Sequence, residues 1–380
     1  MKKILFYVVI VVGLLSMISP TAFATNGDNL IGVGPISRAM GVVDGTDCTP
    51  TGTSTVDFTG MGMGKASAES SMKPFIVPAV AVTSPLTQRR RFGIGAYGVS
   101  GMGVDYKDSE PLYRDPATGQ DLYTKLEIMK FAPNLAYLVT PDFSIGASLS
   151  IDYGNADFGG GGAHNYTMGL QVGALYHMDI FNFGVSYITP QKITHERVAN
   201  FDAQLASTTM DDLELESPHT IIFGVSVQPS PKLLAEVDAR WYNWADAEGY
   251  KDFDWDNQWV LAAGVQYRPI PVLALRAGFN YGKNPVNEHD GFDPMGATNV
   301  QGVDVPTLNY EMLRIIGFPA IVEKHLTLGL GYDITERLIL NVSYMHAFEE
   351  TIREASAGNL AILESSLKED SYSFGLTWRF

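Results

Sequence analysis

The last ten residues alternate strictly, with Tyr372, Phe374, Leu376, Trp378 and Phe380 on one side and Ser371, Ser373, Gly375, Thr377 and Arg379 on the other. A period of two belongs to a β-strand, and this strand has to set a row of aromatics against something apolar. The pattern recurs along most of the chain. At 233–244, Leu233, Ala235, Val237, Ala239 and Trp241 alternate with Leu234, Glu236, Asp238, Arg240 and Tyr242, so that charge lies on one face and aliphatics on the other. Strands that are polar inside and greasy outside fit a cylinder closed in lipid, where every backbone group finds a partner and no edge is left. The chain is therefore expected to be all-β, a 14-stranded antiparallel transmembrane β-barrel.

The ends set the location. Lys2-Lys3, an apolar run of 12 residues from Ile4 to Leu15, and Ala22-Phe23-Ala24 have the order of a secretory signal peptide, with cleavage expected after Ala24. The run is short for a membrane-spanning helix, which needs about 20 residues. No later segment offers 18 consecutive apolar residues, although 46% of the chain is hydrophobic. Loss of Lys2 and Lys3 takes Lys+Arg from 26 to 24 against 42 Asp+Glu, a formal charge of −18. Such a surface repels phosphate backbones and excludes nucleic acid as a partner. Cys48 is the single cysteine, so there is no internal disulfide and no cysteine metal site.

Strands are expected at 53–66, 73–83, 91–106, 124–139, 142–154, 164–178, 180–190, 218–228, 232–244, 256–268, 271–282, 323–333, 336–348 and 368–380. The links between them alternate in length. Tight ones fall at 84–90, Thr140-Pro141-Asp142, Met178-Asp179-Ile180, Pro229-Ser230-Pro231, Arg268-Pro269-Ile270-Pro271 and Asp333-Ile334-Thr335-Glu336. Long ones fall at 107–123, 155–163, 191–217, 245–255, 283–322 and 349–367. Short periplasmic turns opposite long outer loops are the asymmetry of a bacterial outer-membrane barrel. Residues 1–24 are thus read as signal peptide, 25–52 as a hatch plugging the lumen, and 53–380 as the barrel. The hatch reading rests on Leu30, Ile31, Val33, Ile36 and Met40, which are too apolar for a solvated tail.

Several stretches together resemble the FadL-type transporters of long-chain fatty acids and aromatic hydrocarbons. They are Asn29-Leu-Ile-Gly-Val-Gly-Pro-Ile-Ser-Arg-Ala-Met-Gly41, Gly101-Met-Gly-Val-Asp-Tyr106, Leu275-Arg-Ala-Gly-Phe-Asn-Tyr281 with Asn284-Pro285-Val286, the run Gly317 to Tyr332, and the terminal strand. The resemblance implies a 14-stranded barrel with an amino-terminal hatch, capture of ligand at the outer loops, binding above the hatch, and lateral exit through a gap in the third strand. Gly101-Met102-Gly103 in that strand marks the expected gap, because glycines permit bulges that interrupt pairing. Two departures stand out. Thr46 to Gly52 replaces the family's Asn-Pro-Ala triplet, and the 155–163 link is too short for the family's larger capture element.

Candidate ligand contacts are Leu30, Ile31, Val33 and Met40 of the hatch, Ile316 and Phe318 of the long apolar link 283–322, and the inward Arg240 and Arg276. Leu308, Met312, Leu313 and Ile315 share that link; their competing role is to pack into the barrel mouth. A lumen cation would meet a ligand carboxylate, whereas the competing role of both arginines is pairing with Glu236 and Asp238. No metal or cofactor is expected. Gly93 to Gly98 fits a dinucleotide glycine pattern but opens no helix, and Asp252, Asp254 and Asp256 lack the glycine and closing glutamate of a calcium loop. Expected partners are hydrophobic small molecules, outer-membrane lipid and lipopolysaccharide, with a monomeric barrel. The alternatives are a barrel lipase or protease, for which His195 with Ser217-Pro218-His219 is the nearest constellation, and a general diffusion porin.

Overall fold

The structure is a computed structural model that describes residues 29, 40, 47–73, 75–114, 119, 121–201 and 210–380. Its strands, in chain order, are β1 (Asp47–Asp57), β2 (Lys65–Glu69), β3 (Phe75–Ile76), β4 (Ala79–Pro85), β5 (Arg90–Asp105), β6 (Tyr123–Thr140), β7 (Phe143–Asp157), β8 (Ala163–Met178), β9 (Phe181–Ile188) and β10 (Gln191–Ala199). There follow β11 (Asp211–Ser217), β12 (Thr220–Ser230), β13 (Leu233–Tyr242), β14 (Gln258–Ile270), β15 (Leu273–Gly282), β16 (Ala297–Val300), β17 (Val303–Pro306), β18 (Lys324–Asp333), β19 (Leu338–Ala355) and β20 (Ile362–Trp378).

Sixteen of these strands form one antiparallel sheet. Its closure is visible in the pairing of β2, β3 and β4, which are consecutive pieces of a single stave. β2 and β3 pair with β1, while β4 pairs with β5. At the other side of β1 the first strand meets the last, Cys48 opposite Ser371 through Asp57 opposite Ile362. The three pieces counted as one leave fourteen staves, as the alternation predicts. Hairpins β10–β11 and β16–β17 stand apart from the sheet, in the outer links.

Face assignment follows the alternation. On β20, Phe374, Leu376 and Trp378 are 68%, 70% and 62% exposed, whereas Ser371 and Ser373 are buried inside. On β13, Val237 points out and Arg240 is buried in the lumen. A soluble protein does not display such columns of aromatics; lipid removes them from water at about 25 cal/mol per Å². Among the described residues no helix is long and apolar enough to cross a membrane.

Strand ends depart from expectation where the barrel rises above the bilayer. The stretch read as a strand at 53–66 is a hairpin: β1 begins at Asp47, inside the stretch read as hatch, and ends before a turn with Gly62 and Gly64 at positive φ. The link read as 349–367 is mostly strand, since β19 continues to Ala355 and β20 resumes at Ile362. Above the membrane the outer face meets water, so both faces can be polar and the alternation that betrays a strand fades. Gly93 to Gly98 lies within β5, with no helix after it.

β5 and β6 run in register from Arg90 opposite Tyr137 to Asp105 opposite Tyr123, with one bulge between Gly98 and Ser100. A β-carbon at Gly103 would run into the Thr124 carbonyl oxygen and the Lys125 backbone, whereas one at Gly52 finds only ordinary contacts at 3.7 Å. Gly103→Ala is expected to cost about 1–3 kcal/mol by forcing this ladder apart, seen as a lower urea midpoint in micelles, and Gly52→Ala to leave the midpoint unchanged.

Candidate functional site

The outer mouth carries an apolar groove of about 360 Å³. Its walls come from five links: Phe58 and Met63 of the β1–β2 turn, Leu112, Tyr113 and Leu122 of the β5–β6 link, Phe158 of the β7–β8 tip, Phe201 of the β10–β11 tip, and Leu308, Met312 and Leu313 of the long link. Polar atoms here are already engaged. The Tyr113 hydroxyl donates to the Ser54 carbonyl at 2.7 Å, leaving its ring to stack on Tyr106 at 4.8 Å. Arg114 at the rim donates to Asp121 at 2.7 Å. The groove therefore offers aromatic and aliphatic area with no free cation among its described residues.

Link 283–322 divides in two. Leu308, Met312 and Leu313 line the groove, while Ile315, Ile316 and Phe318 are buried beneath it, with Phe318 edge-on to Phe158 at 5.5 Å. Candidates Ile316 and Phe318 thus belong to the packed mouth of the barrel and support the groove from below. A short helix, Thr307–Met312, runs directly into a π-helical turn, Leu313–Gly317, whose Gly317 carbonyl accepts from Thr124 of β6.

One buried cation pins this link. Arg314, fully buried, donates to Glu311 at 2.9 Å, to the Asn287 carbonyl at 2.5 Å, and to Glu354 of β19. His289 joins the cluster, with Nδ1 2.9 Å from Glu311 and Nε2 2.8 Å from Asp254. The carboxylates and imidazole lie within 4.8 Å of one another, and the Arg314 guanidinium supplies the positive charge there. The hydrogen bond to Glu311 raises the His289 imidazole above its ordinary range; burial opposes it, and the hydrogen bond to Asp254 adds to the rise. Only Glu311 and Arg314, three apart on one helical segment, are brought together by spacing; His289, Asp254 and Glu354 reach them through loop closure.

Below the mouth the lumen turns polar. Arg276 donates from Nε to Gln266 at 2.8 Å and from Nη1 to Asn341 at 3.1 Å. Pairing of Arg276 with Glu236 or Asp238 is therefore not what the structure holds: its register places Gln266 opposite it, and that amide reaches it first. Arg240 is buried, and its Nε has no hydrogen-bond partner. It too makes no ion pair within 4.0 Å, although Glu236 and Asp238 share its face, because residues two apart on a strand stand side by side with fixed spacing. Lys130, which the sequence reading passed over, lies 3.6 Å from the buried Asp152 and donates to Gln191 at 3.1 Å.

The wall lapses beside β5. The Gly98 N–H reaches the Pro78 carbonyl at 3.4 Å and the Ser71 N–H reaches the Asp105 carbonyl at 2.7 Å. Between those two bonds, residues 100–104 pair with β6 but with no described residue of the second stave, whose facing part pairs with β1 through β3. Gly101, Met102 and Gly103 lie within this window. Pro78 in the facing stave has no N–H to donate, a signal the strand alternation does not carry. On the open side of β5, Asn29 forms a β-bridge with Ser100. Met40, also buried, has its backbone against lumen-facing Gly264, where a β-carbon could not fit. Leu30, Ile31 and Val33, like the signal segment, lie outside the described residues.

The enzyme constellation does not assemble around a nucleophile. His219 Nδ1 bonds the Tyr187 hydroxyl at 2.6 Å, His195 Nδ1 bonds the Ala163 carbonyl at 2.9 Å, and Ser217 sits in the β10–β11 ladder opposite Gln191.

Residues 36–162 match the family described as outer membrane protein transport protein (OMPP1/FadL/TodX). Among solved structures, the toluene transporter TodX of Pseudomonas putida superposes with a TM-score of 0.62 at 16% identity, covering 92% of this chain and 99% of its own. A FadL homologue of Pseudomonas aeruginosa gives 0.56 at 16%, covering 95% and 99%. No curated protein matches. The family is one of transport proteins of the bacterial outer membrane, not of enzymes.

Arg314→Met would leave Glu311 and Glu354 buried without their cation, and is expected to destabilise the long link by about 3–5 kcal/mol, seen as rapid proteolysis within 283–322 while the barrel stays intact. Because the folded His289 pKa lies above its ordinary value, its stabilisation is complete below about pH 6.5 and is lost as pH rises through the raised value. Cleavage of the link should therefore be faster at about pH 9 than at about pH 6, and His289→Gln should flatten that dependence.

Proposed function

From the premise that this chain is an outer-membrane barrel of the FadL type, we propose that it admits uncharged hydrophobic molecules of the aromatic-hydrocarbon kind by passive diffusion. The cargo settles in the outer groove, passes over Phe158 and Phe318 to the lumen above the amino-terminal segment, and leaves sideways between the second and third staves. The observation that carries this reading is the lapse of pairing between the second stave and β5 at residues 99–104, bounded by hydrogen bonds above and below. A hydrophobic molecule that left through the foot of the barrel would have to cross the polar lumen around Lys130, Asp152 and Arg276; a side window delivers it to lipid instead. Support for a hatch comes from the Asn29 bridge at the window and from Met40 against Gly264.

Charge bears on the cargo. Glu236, Asp238 and Asp152 match Arg240, Arg276 and Lys130 in number, so these lumen side chains bring no net positive charge to attract a carboxylate. A second reading, long-chain fatty acids, draws on the bare Nε of Arg240. Under the first reading Arg240→Gln leaves hydrocarbon uptake unaltered; a selective loss of fatty-acid uptake would establish the second.

The window can be stapled. An ideal β-carbon at Gly98 stands 3.8 Å from the Val77 β-carbon, the mean spacing of a disulfide. In a Cys48→Ser background, Val77→Cys with Gly98→Cys should lower uptake of labelled toluene into proteoliposomes by about tenfold, equivalent to ~1.4 kcal/mol of barrier, with recovery on reduction. Met312→Asp in the groove should slow uptake at low cargo concentration without changing the fold. Undiminished flux through the oxidised staple would rule out this exit.

A further inference from the structure

The arc of the rim opposite the long loops carries unpaired positive charge on an otherwise acidic protein. The β4–β5 turn presents Arg89, Arg90 and Arg91 in succession, all exposed. At the closure seam next to it, Arg337 in the β18–β19 turn is tied by backbone to Arg379, whose N–H donates to the Arg337 carbonyl at 2.8 Å. The whole chain has a formal charge of −16, yet residues 85–92 carry three arginines and no acid, whereas in the β18–β19 turn Asp333 and Glu336 accompany Arg337. Among the described residues the arginines in ion pairs are Arg114, Arg314 and Arg353, all at the outer side. The rim arginines have no acid within 4.0 Å.

Depth adds the second observation. The Arg90 guanidinium lies 5.9 Å from the Tyr137 ring centre. Tyr137, Phe92 and Leu135 are exposed on the lipid face at 36%, 37% and 48%. A cation over the last aromatic of a lipid-facing column sits where hydrocarbon gives way to headgroups. A guanidinium there is shaped to take a phosphodiester through two parallel hydrogen bonds.

We propose that Arg90, which shares the lipid-facing side of β5 with Phe92, together with Arg89 in the adjoining turn forms a binding site for the headgroup of an anionic phospholipid in the periplasmic leaflet. Tyr137, Phe92 and Leu135 carry the upper part of its acyl chains. The fit combines charge with an apolar column directly above it, which a free anion in water would not use. The site fixes the barrel's depth at the third stave, the same stave that bounds the window, and it does not depend on what the barrel transports.

The test uses the full mature chain in micelles of equimolar phosphatidylglycerol and phosphatidylcholine, read by native mass spectrometry of retained lipid. Wild type should retain the anionic lipid with about a fivefold preference, the ratio for roughly one guanidinium engaged at a membrane surface. Arg89→Gln/Arg90→Gln should bring the two lipids to parity, and Arg90→Gln alone should remove most of the preference. Heat-modifiable migration on a gel confirms that each variant is folded; should the double variant misfold, the single variant decides. Equal retention in wild type, or an undiminished preference in folded Arg90→Gln, overturns the proposal. Displacement of the lipid by millimolar inorganic phosphate also overturns it, since the site would then bind a bare anion. Retention of an acidic polypeptide in place of lipid would do so too.

Discussion

Backbone pairing in a medium without water governs this molecule. Each N–H and C=O at membrane depth must find a partner within the protein, since leaving one bare costs several kcal/mol. The pairing of β1 with β20 on one side and with β2 and β3 on the other satisfies that demand around the ring. The lapse beside β5 matters for the same reason. An unpaired stretch of strand in lipid persists only if something covers it, and Asn29 bridging Ser100 is one such cover. Proline in the second stave and glycine in the third both act by withholding order. Proline removes donors, and glycine allows the bulge that lets β5 part from its neighbour while keeping β6.

The interior is layered by polarity along the barrel axis. At the outer end, rings and aliphatics from several links pack into one buried cluster that includes Phe158, Ile315, Ile316 and Phe318. Further in, Lys130 with Asp152 and Arg276 with Gln266 and Asn341 line the lumen wall. The groove lies above the apolar layer, and its floor is the roof of that cluster. Buried charge appears where a loop has to be held: Arg314 is surrounded by Glu311, Glu354 and a backbone carbonyl, and those partners offset the desolvation that an isolated guanidinium would suffer.

Much of this architecture was legible because lipid imposes a one-sided rule on strands. Within the bilayer the outward face must be apolar, so Phe374, Leu376 and Trp378, or Val237 beside Asp238, announce both strand and orientation. Where that constraint ends, legibility ends with it. The first half of β1, where Pro50 and Gly52 lie among threonines, reads as hatch, and the upper part of β19, where Ile352 and Glu354 point inward and Thr351 and Arg353 outward, reads as loop. Site residues follow the same division. Inward placement of Arg240 and Arg276 followed from parity, but their partners did not, because register decides which side chain stands opposite. Of the Arg314 cluster only the i,i+3 pair with Glu311 has a spacing to show; His289, Asp254 and Glu354 meet it through the closing of the loops. Ile316 and Phe318 announced apolar burial, and only the fold separates the groove wall from the support under it.

The seam between the first and last strands carries a consequence for biogenesis. Thr55 meets Glu364 and Cys48 meets Ser371, so the cylinder cannot shut until the final segment has emerged and travelled back to the first. Closing so long a loop is slow, and until it happens two raw edges remain open to neighbouring chains. A nascent barrel of this kind has to be escorted, and the carboxyl-terminal strand, with its aromatics already displayed, is the part an escort can grip before the ring exists.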